Sequence, residues 1–326
     1  MRSAAKRIAF LFLGSPLGLK PRLRGLRRRK ALTILSFHRV APPDGSSYAP
    51  LAPALFDEVI GFCSEAFELL TFAELEDHRP GHKPAAIITF DDGYKDFVDQ
   101  AMPILARHGV RCNFNIIPRC VESGLPPPNV LLQDFIGKAS PSELAELDIP
   151  GFGRAGSSEN RVRLGERVSD HLRKRPMREQ REIMAPVLER IGRLPGFRPT
   201  PMMREEDVRS AAAVHEIGAH SFEHASLLYE NDDYVRADAR KCQAYLTGLT
   251  GRSSAIYALP NGMAAERQLG LITDEGFRHI LLTGETYSTP AAHYHPRFTM
   301  WGDSAAELRA RATGITRNSG AGLPLQ

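Results

Sequence analysis

Short apolar runs rich in β-favouring residues recur along the chain, and most are followed by a stretch with helical spacing. They are ALTILSFHRV (31–40), AAIITF (85–90), VRCNFNII (110–117), EIGAH (216–220), SAIYALP (254–260) and FRHILLT (277–283). Runs this short and this apolar fit strands buried on both faces, and the stretches between them are long enough to cross back over a sheet. The alternation predicts an α/β fold with a parallel sheet or barrel, its functional groups gathered at the C-terminal ends of the strands. The 326 residues, 42% hydrophobic and 25% charged, allow one large domain or two smaller ones. An α/β barrel uses most of that length alone.

The alternation lapses between about 119 and 201. That segment carries GLPPPN, PGFGRAGSSEN and a long charged stretch of helical pattern, and no strand stands out in it. It is expected to be a largely helical insertion, either shaping a substrate cleft or forming a surface excursion. Around it, residues 31–302 make the barrel and 303–326 a last helix with a frayed tail. The earlier stretch PALFDEVIGFCSEAF (53–67) has helical spacing that sets Leu55, Val59, Phe62 and Phe67 on one face.

Residues 1–30 form a basic arm with ten Lys/Arg and no acid, which leaves 32 basic against 38 acidic residues in the rest of the chain. The apolar stretch IAFLFLGSPLGL (8–19) is too short to span a bilayer, and KPRLRGLRRRK follows it where a small-residue cleavage site would stand. The arm is read as a membrane-surface element suited to anionic lipid, with a solvated helical extension as the competing reading. Nucleic acid is not expected as a partner. Cys63, Cys112, Cys120 and Cys242 show no CxxC spacing and read as free thiols. The expected location is cytoplasmic or peripheral at the inner membrane.

Two motifs carry chemistry. IITFDDGYKDF (87–97) ends an apolar strand in two adjacent carboxylates, Asp91 and Asp92, followed by Gly93. Neighbouring side chains on a strand point to opposite faces, so this pair shares a site only where the strand gives way to a turn. A nearby divalent cation relieves the repulsion between the two acids. AHSFEHASL (219–227) places His220 and His224 four residues apart after another strand, a spacing that lets two imidazoles hold one ion. A turn-forming Asp-Asp-Gly and an incidental His pair are the plain alternatives. Both motifs nevertheless follow strands of one pattern, and a carboxylate with two imidazoles makes an open three-ligand site.

TFDDG (89–93) together with HSFEH (220–224) resembles the polysaccharide deacetylases of the NodB-homology type, carbohydrate esterase family 4. The resemblance covers roughly 32–301 apart from the insertion. It implies a distorted (β/α)7-type barrel and a metal-dependent N-deacetylase acting on N-acetylhexosamine units of a polysaccharide or lipid-linked sugar. Carried over, Asp91 is the general base, and Asp92, His220 and His224 are the ligands of one divalent ion, zinc first with cobalt or nickel as alternatives. YALPNG (257–262) resembles a loop that lines the site, which puts Pro260 and Asn261 near substrate, with a backbone N–H of that loop on the oxyanion. ILSFHRV (34–40) resembles the opening strand of a subgroup with exopolysaccharide-modifying members, which use a histidine there as the acid; that residue is His38 here.

Two departures stand out. YALPNG lacks the family's arginine that orients the catalytic aspartate, and Arg297 in YHPRFTM is the substitute considered. The late Leu-x-His motif is also absent: His279 does not match it, and His295 is second to His38 as general acid. Tyr94, Tyr257 and Trp301 are candidates for stacking on a sugar ring. Two alternatives stay open, the second of them suggested by the departures. One is a metal-dependent hydrolase of another C–N amide bond, and the other a catalytically weakened glycan-binding barrel.

Overall fold

Each apolar run forms a strand, and a connection too long for a hairpin separates each from the next, so the strands pair in parallel. The computed structural model describes residues 4–154, 160–194 and 196–315, with the side chains of 4–8 outside that description. The strands are β1 (Leu32–Phe37), β2 (Ala85–Phe90), β3 (Asn113–Ile116), β4 (Glu216–Ala219), β5 (Ile256–Ala258), β6 (His279–Leu282) and β7 (Tyr294–Pro296 continued by Phe298–Thr299). Their order around the sheet follows the chain from β1 to β6. A two-residue strand, Glu68–Leu69, pairs beside the start of β2.

Closure depends on β7. Its first half pairs with β6, with Tyr294 opposite Ile280 and Pro296 opposite Leu282. Its second half pairs with β1, with Phe298 opposite Leu35 and Thr299 opposite Ser36. One bent segment therefore joins the two edges of the sheet, which leaves a distorted (β/α)7-type barrel with no long open edge. Arg297 sits at the bend and is buried.

Alternation along the strands sorts two cores. Leu32, Ile34, Ala85, Ile87, Ile256, Ala258 and Leu281 fill the barrel, with Phe72 and Leu75 packed on them. Outward-facing residues of the strands meet the surrounding helices. There Phe37, Phe56, Phe90, Phe97 and Phe114 form a continuous run of ring contacts with centroids 4.9 to 5.6 Å apart. The helix Pro53–Ala66 buries Phe56, Val59, Ile60 and Cys63. Of the face expected from spacing, Val59 is on it, Phe67 is buried just past the helix end, and Leu55 and Phe62 flank it half-buried. All four cysteines are buried and unpaired.

The insertion is helical, with Pro128–Lys138, Arg161–Arg173 and Met177–Gly192 as its main helices. It has its own apolar core around Leu132, Phe135, Leu164, Val168, Leu172, Met184 and Val187. Contrary to expectation it also holds a strand pair, Asp148–Ile149 with Gly153–Arg154, antiparallel and two residues long on each side. Short strands closed by Gly151 and Gly153 at positive φ leave no periodic signal to read.

Residues 4–28 form two helices, Ala4–Leu13 and Pro16–Arg28. The second buries Leu19 and Leu26, and Arg22 donates to the Thr313 carbonyl at 3.2 Å. The arm thus lies against the closing helix Ala305–Ala312. The tail 316–326 lies outside the described residues. Among the described residues no helix is long and apolar enough to cross a membrane.

Gly137 is where the insertion grips the barrel. A Cβ there would lie 2.2 Å from the Gly45 carbonyl oxygen and 2.4 Å from the Ser47 nitrogen. Ser47 in turn bonds the Gln133 carbonyl through both its N–H and its hydroxyl. Gly137→Ala is expected to lower the urea midpoint, because overpacking costs about 1–3 kcal/mol. That exceeds the gain of at most ~1 kcal/mol in helix propensity.

Candidate active site

The paired acids share a rim because the backbone changes hand between them. Asp91 still follows the sheet, its N–H donating to the Phe37 carbonyl at 3.1 Å. Asp92 and Gly93 then take φ of +74° and +79°, a left-handed turn that costs a non-glycine residue about 1–3 kcal/mol. Such a turn undoes the strand alternation, and both carboxylates line the same cleft.

Asp91 is tightly held. Arg297 forks onto it, donating to Oδ1 at 2.9 Å and Oδ2 at 2.7 Å. Asn115 of β3 donates to Oδ1 at 2.8 Å and to the Phe90 carbonyl at 3.1 Å. Burial alone would raise this carboxyl. The Arg297 charge, the nearby His220 and the Arg297 hydrogen bonds outweigh it and hold the acid well below the usual carboxylate range. Gly218 makes room for Asn115, since a Cβ there would sit 2.0 Å from its Oδ1. His38 stands at the end of β1 with Nε2 at 4.0 Å from Asp91 Oδ2, and its side chain is 29% exposed toward the cleft.

Asp92 faces the two imidazoles. His220 Nδ1 donates to the Ala258 carbonyl at 2.9 Å, which leaves its Nε2 directed elsewhere. That Nε2 and the Nε2 of His224 lie 3.3 and 3.5 Å from Asp92 Oδ1. Oδ1 is buried and has no hydrogen-bond partner. Three electron-pair donors converging on one point, Asp92 and His220 buried and His224 partly so, is the pattern a cation resolves. Bonds of ~2.0–2.2 Å to a tetrahedral ion set the ligand atoms roughly 3.3–3.6 Å apart, which matches these separations. The three ligand atoms lie within 4.8 Å of one another, so the donor set fits a single divalent ion. Burial would raise Asp92, but the approach of His220 and the charges of His224 and His38 hold it low. His224 falls to about 4, chiefly through burial. His220 is raised: burial acts against it, and Asp91 and Asp92 outweigh burial.

A buried acid on the helix Asp232–Thr250 secures the histidine loop. Asp238 accepts from the Ser221 hydroxyl at 2.8 Å, the Phe222 N–H at 2.9 Å and the Tyr257 hydroxyl at 2.6 Å. The Ser221 hydroxyl accepts in turn from the Ala225 N–H at 3.0 Å. Ser221 and His224 both have positive φ, +57° and +64°, so this network holds a strained turn in place. Neither Asp238 nor Asn115 is among the residues singled out from the sequence. For Asn115 a signal exists, since Asn113 and Asn115 interrupt an apolar strand with period two.

The cleft has a volume of about 940 Å³. The barrel supplies His38, Asp91, Asp92, Leu259, Asn261 and Trp301, and the insertion supplies Asn129, Gln133 and the face of Arg161–Arg173 that carries Val162, Glu166 and Asp170. The insertion is therefore a wall of the cleft and not a surface excursion. Trp301 is half exposed on the rim, with the Arg311 guanidinium 4.0 Å from its ring centroid. Asn261 lines the cleft, donates to the Ser226 hydroxyl at 2.8 Å and has φ of +57°.

Other expected positions are corrected. Tyr94 is buried, with the Arg39 guanidinium over its ring at 5.5 Å, so it has no face to offer a sugar. Tyr257 is buried as the Asp238 donor. Pro260 is buried behind Leu259 and Asn261. His295 lies apart from the cleft, its two ring nitrogens bonded to His279 at 3.0 Å and Ser288 at 2.9 Å.

The model of the family described as polysaccharide deacetylase matches residues 78–152 and 165–280. Among solved structures, a Streptococcus pyogenes deacetylase, PplD, in complex with acetate aligns with TM-score 0.56 at 15% identity, over 85% of this chain and 96% of that one. IcaB from Ammonifex degensii aligns with TM-score 0.56 at 16% identity, over 87% and 97%. The BpsB deacetylase domain from Bordetella bronchiseptica aligns with TM-score 0.51 at 14% identity, over 82% and 95%. At these identities the structural matches speak to the fold. No curated protein matches the chain.

Two substitutions separate ligand from support. Asp92→Ala is expected to abolish stoichiometric zinc binding. Asp238→Asn is expected to weaken it about 10–100-fold, the usual cost of losing a group that orients metal ligands. Competition with a chromogenic chelator measures both, and circular dichroism checks that each variant is folded.

Proposed function

The chain belongs to the polysaccharide deacetylase family, hydrolases of non-peptide carbon–nitrogen bonds, and we propose that it removes acetyl groups from N-acetylhexosamine units of a glycan using one divalent cation. One observation carries the reading. A three-donor cation site, Asp92, His220 and His224, opens on the same cleft as a separately held carboxylate, Asp91. When bound, the ion supplies Lewis-acid polarisation of the acetamide carbonyl and acidification of water, chemistry that zinc serves well and cobalt or nickel can share.

The chain's own groups divide the proton work. Asp91 Oδ1 is occupied by both Asn115 and Arg297, whereas Oδ2 has Arg297 alone. Oδ2 also faces His38, so Oδ2 is the atom that takes a proton from the attacking water. Arg297 and Asn115 keep that carboxylate off the cation and aimed at the cleft. As the C–N bond breaks, His38 delivers a proton to the departing nitrogen, and acetate and a free amine result. Within the loop 259–263, the Leu259, Gly262 and Met263 N–H groups are engaged by backbone carbonyls, and Pro260 has none. The Asn261 N–H is thus the loop's candidate donor to the oxyanion, a role worth on the order of 3 kcal/mol. Asn261 and the Trp301 rim bound the sugar.

Release of acetate from N-acetylglucosamine oligomers, stimulated by zinc, cobalt or nickel and abolished by a chelator, is the expected result. His38→Ala should lower turnover at least about a hundredfold, within the range for lost acid–base catalysis, with metal content unchanged. Stoichiometric metal without acetate from any acetylated glycan would favour a hydrolase of another amide, or a binding barrel.

A further inference from the structure

The two N-terminal helices meet at an elbow that leaves large apolar side chains in solvent. Leu11 and Phe12, in the last turn of Ala4–Leu13, are 62% and 65% exposed, and Leu17, in the first turn of Pro16–Arg28, is 79% exposed. The second helix is sharply two-sided. Leu19, Leu23 and Leu26 face the protein. Leu17, Lys20, Arg24, Arg27 and Arg28 fall within one stripe about 100° wide, centred roughly 120° around the helix from those leucines at 100° per residue, and all five are exposed. Apolar side chains at one end of a cationic stripe are the composition of a helix that lies in a membrane interface.

The elbow sits beside the cleft. Gly14 packs so closely on Ala306 that a Cβ would meet its carbonyl oxygen at 2.1 Å, and Arg309 Nε donates to the Gly14 carbonyl at 3.3 Å. The helix receiving it, Ala305–Ala312, begins just after Trp301 and Asp303, two residues of the cleft rim. From the elbow, Pro16–Arg28 runs about 20 Å down to the start of β1, so the elbow belongs to the barrel end where the strands finish and the cleft opens.

We propose that this elbow and its cationic stripe dock the protein on an anionic bilayer, with the Trp301 edge of the cleft at the headgroup layer, so that the sugar presented to the cleft is carried on a lipid. The identity of the sugar rests on the deacetylase reading; the docking does not. Leu11, Phe12 and Leu17 favour a bilayer over a nucleic-acid backbone, which would use the cations and leave the apolar side chains in water.

The test is co-sedimentation of the full chain with phosphatidylcholine vesicles with and without phosphatidylglycerol. It compares wild type with a Leu11→Ser/Phe12→Ser/Leu17→Ser variant and a Lys20→Gln/Arg24→Gln/Arg27→Gln/Arg28→Gln variant. Wild type is expected to bind the anionic vesicles, and each variant to bind at least about tenfold more weakly, since inserted side chains and cations add to one affinity. Both variants should release acetate from soluble N-acetylglucosamine oligomers at the wild-type rate. On a vesicle-borne N-acetylglucosamine lipid the apolar variant should be slower by the factor it loses in binding. Wild type remaining in the supernatant, an apolar variant that binds undiminished, or binding to duplex DNA but not to vesicles would each overturn the docking. Vesicle binding in the expected order with no acetate released from either substrate would uphold the docking and overturn the glycan reading.

Discussion

The segment that closes the barrel also delivers the guanidinium that the site requires. β7 reaches β6 with its first half and β1 with its second, and the residue at the bend is Arg297. Closure and the Arg297–Asp91 fork are therefore one event: if β7 slipped by one residue, this side chain would leave the barrel interior. A buried carboxylate and guanidinium brought together after desolvation repay that cost only with good geometry. The two-pronged contact, completed by Asn115, provides it. The rest of the site is arranged around the fixed position of Asp91.

Strain accumulates around that fixed point. Asp92, Ser221, His224 and Asn261 all have positive φ without being glycine, and all lie on the loops of one cleft. Each conformation is unfavourable alone and persists because neighbours over-determine it. Asp238 ties three donors from the histidine loop and β5, and Asn261 is tied to Ser226. The outcome is a buried, unbonded Asp92 oxygen facing two imidazole nitrogens, a local instability that binding a cation would remove.

Period and adjacency are the features that a sequence makes legible. Short apolar runs alternating with helical stretches are enough to indicate a parallel barrel, and DDG and HxxxH each sit within a few residues of a strand end. Long-range geometry is less visible. Arg297 can be suspected only because another loop lacks its arginine. Asn115 shows only through the two-residue spacing that it shares with Asn113, and Asp238 is hidden in a helix whose polar residues resemble a solvated face. Tyr94 misleads because a residue so near the motif is expected to face the cleft. The turn at Asp92 and Gly93 instead sends the ring into the wall beneath Arg39. Which helices of the insertion reach the cleft depends on packing at Gly137 and Ser47, and no local pattern encodes that.

The central claim is that one cation is shared by Asp92, His220 and His224 while Asp91 stays off it, held by Arg297. Anomalous X-ray scattering from crystals grown with zinc or cobalt tests it most directly. The account predicts one strong peak within bonding distance of an Asp92 oxygen and the Nε2 atoms of both histidines, with the Asp91–Arg297 fork intact. A peak that bonds Asp91, or a metal that binds elsewhere with those three residues unligated, would contradict it.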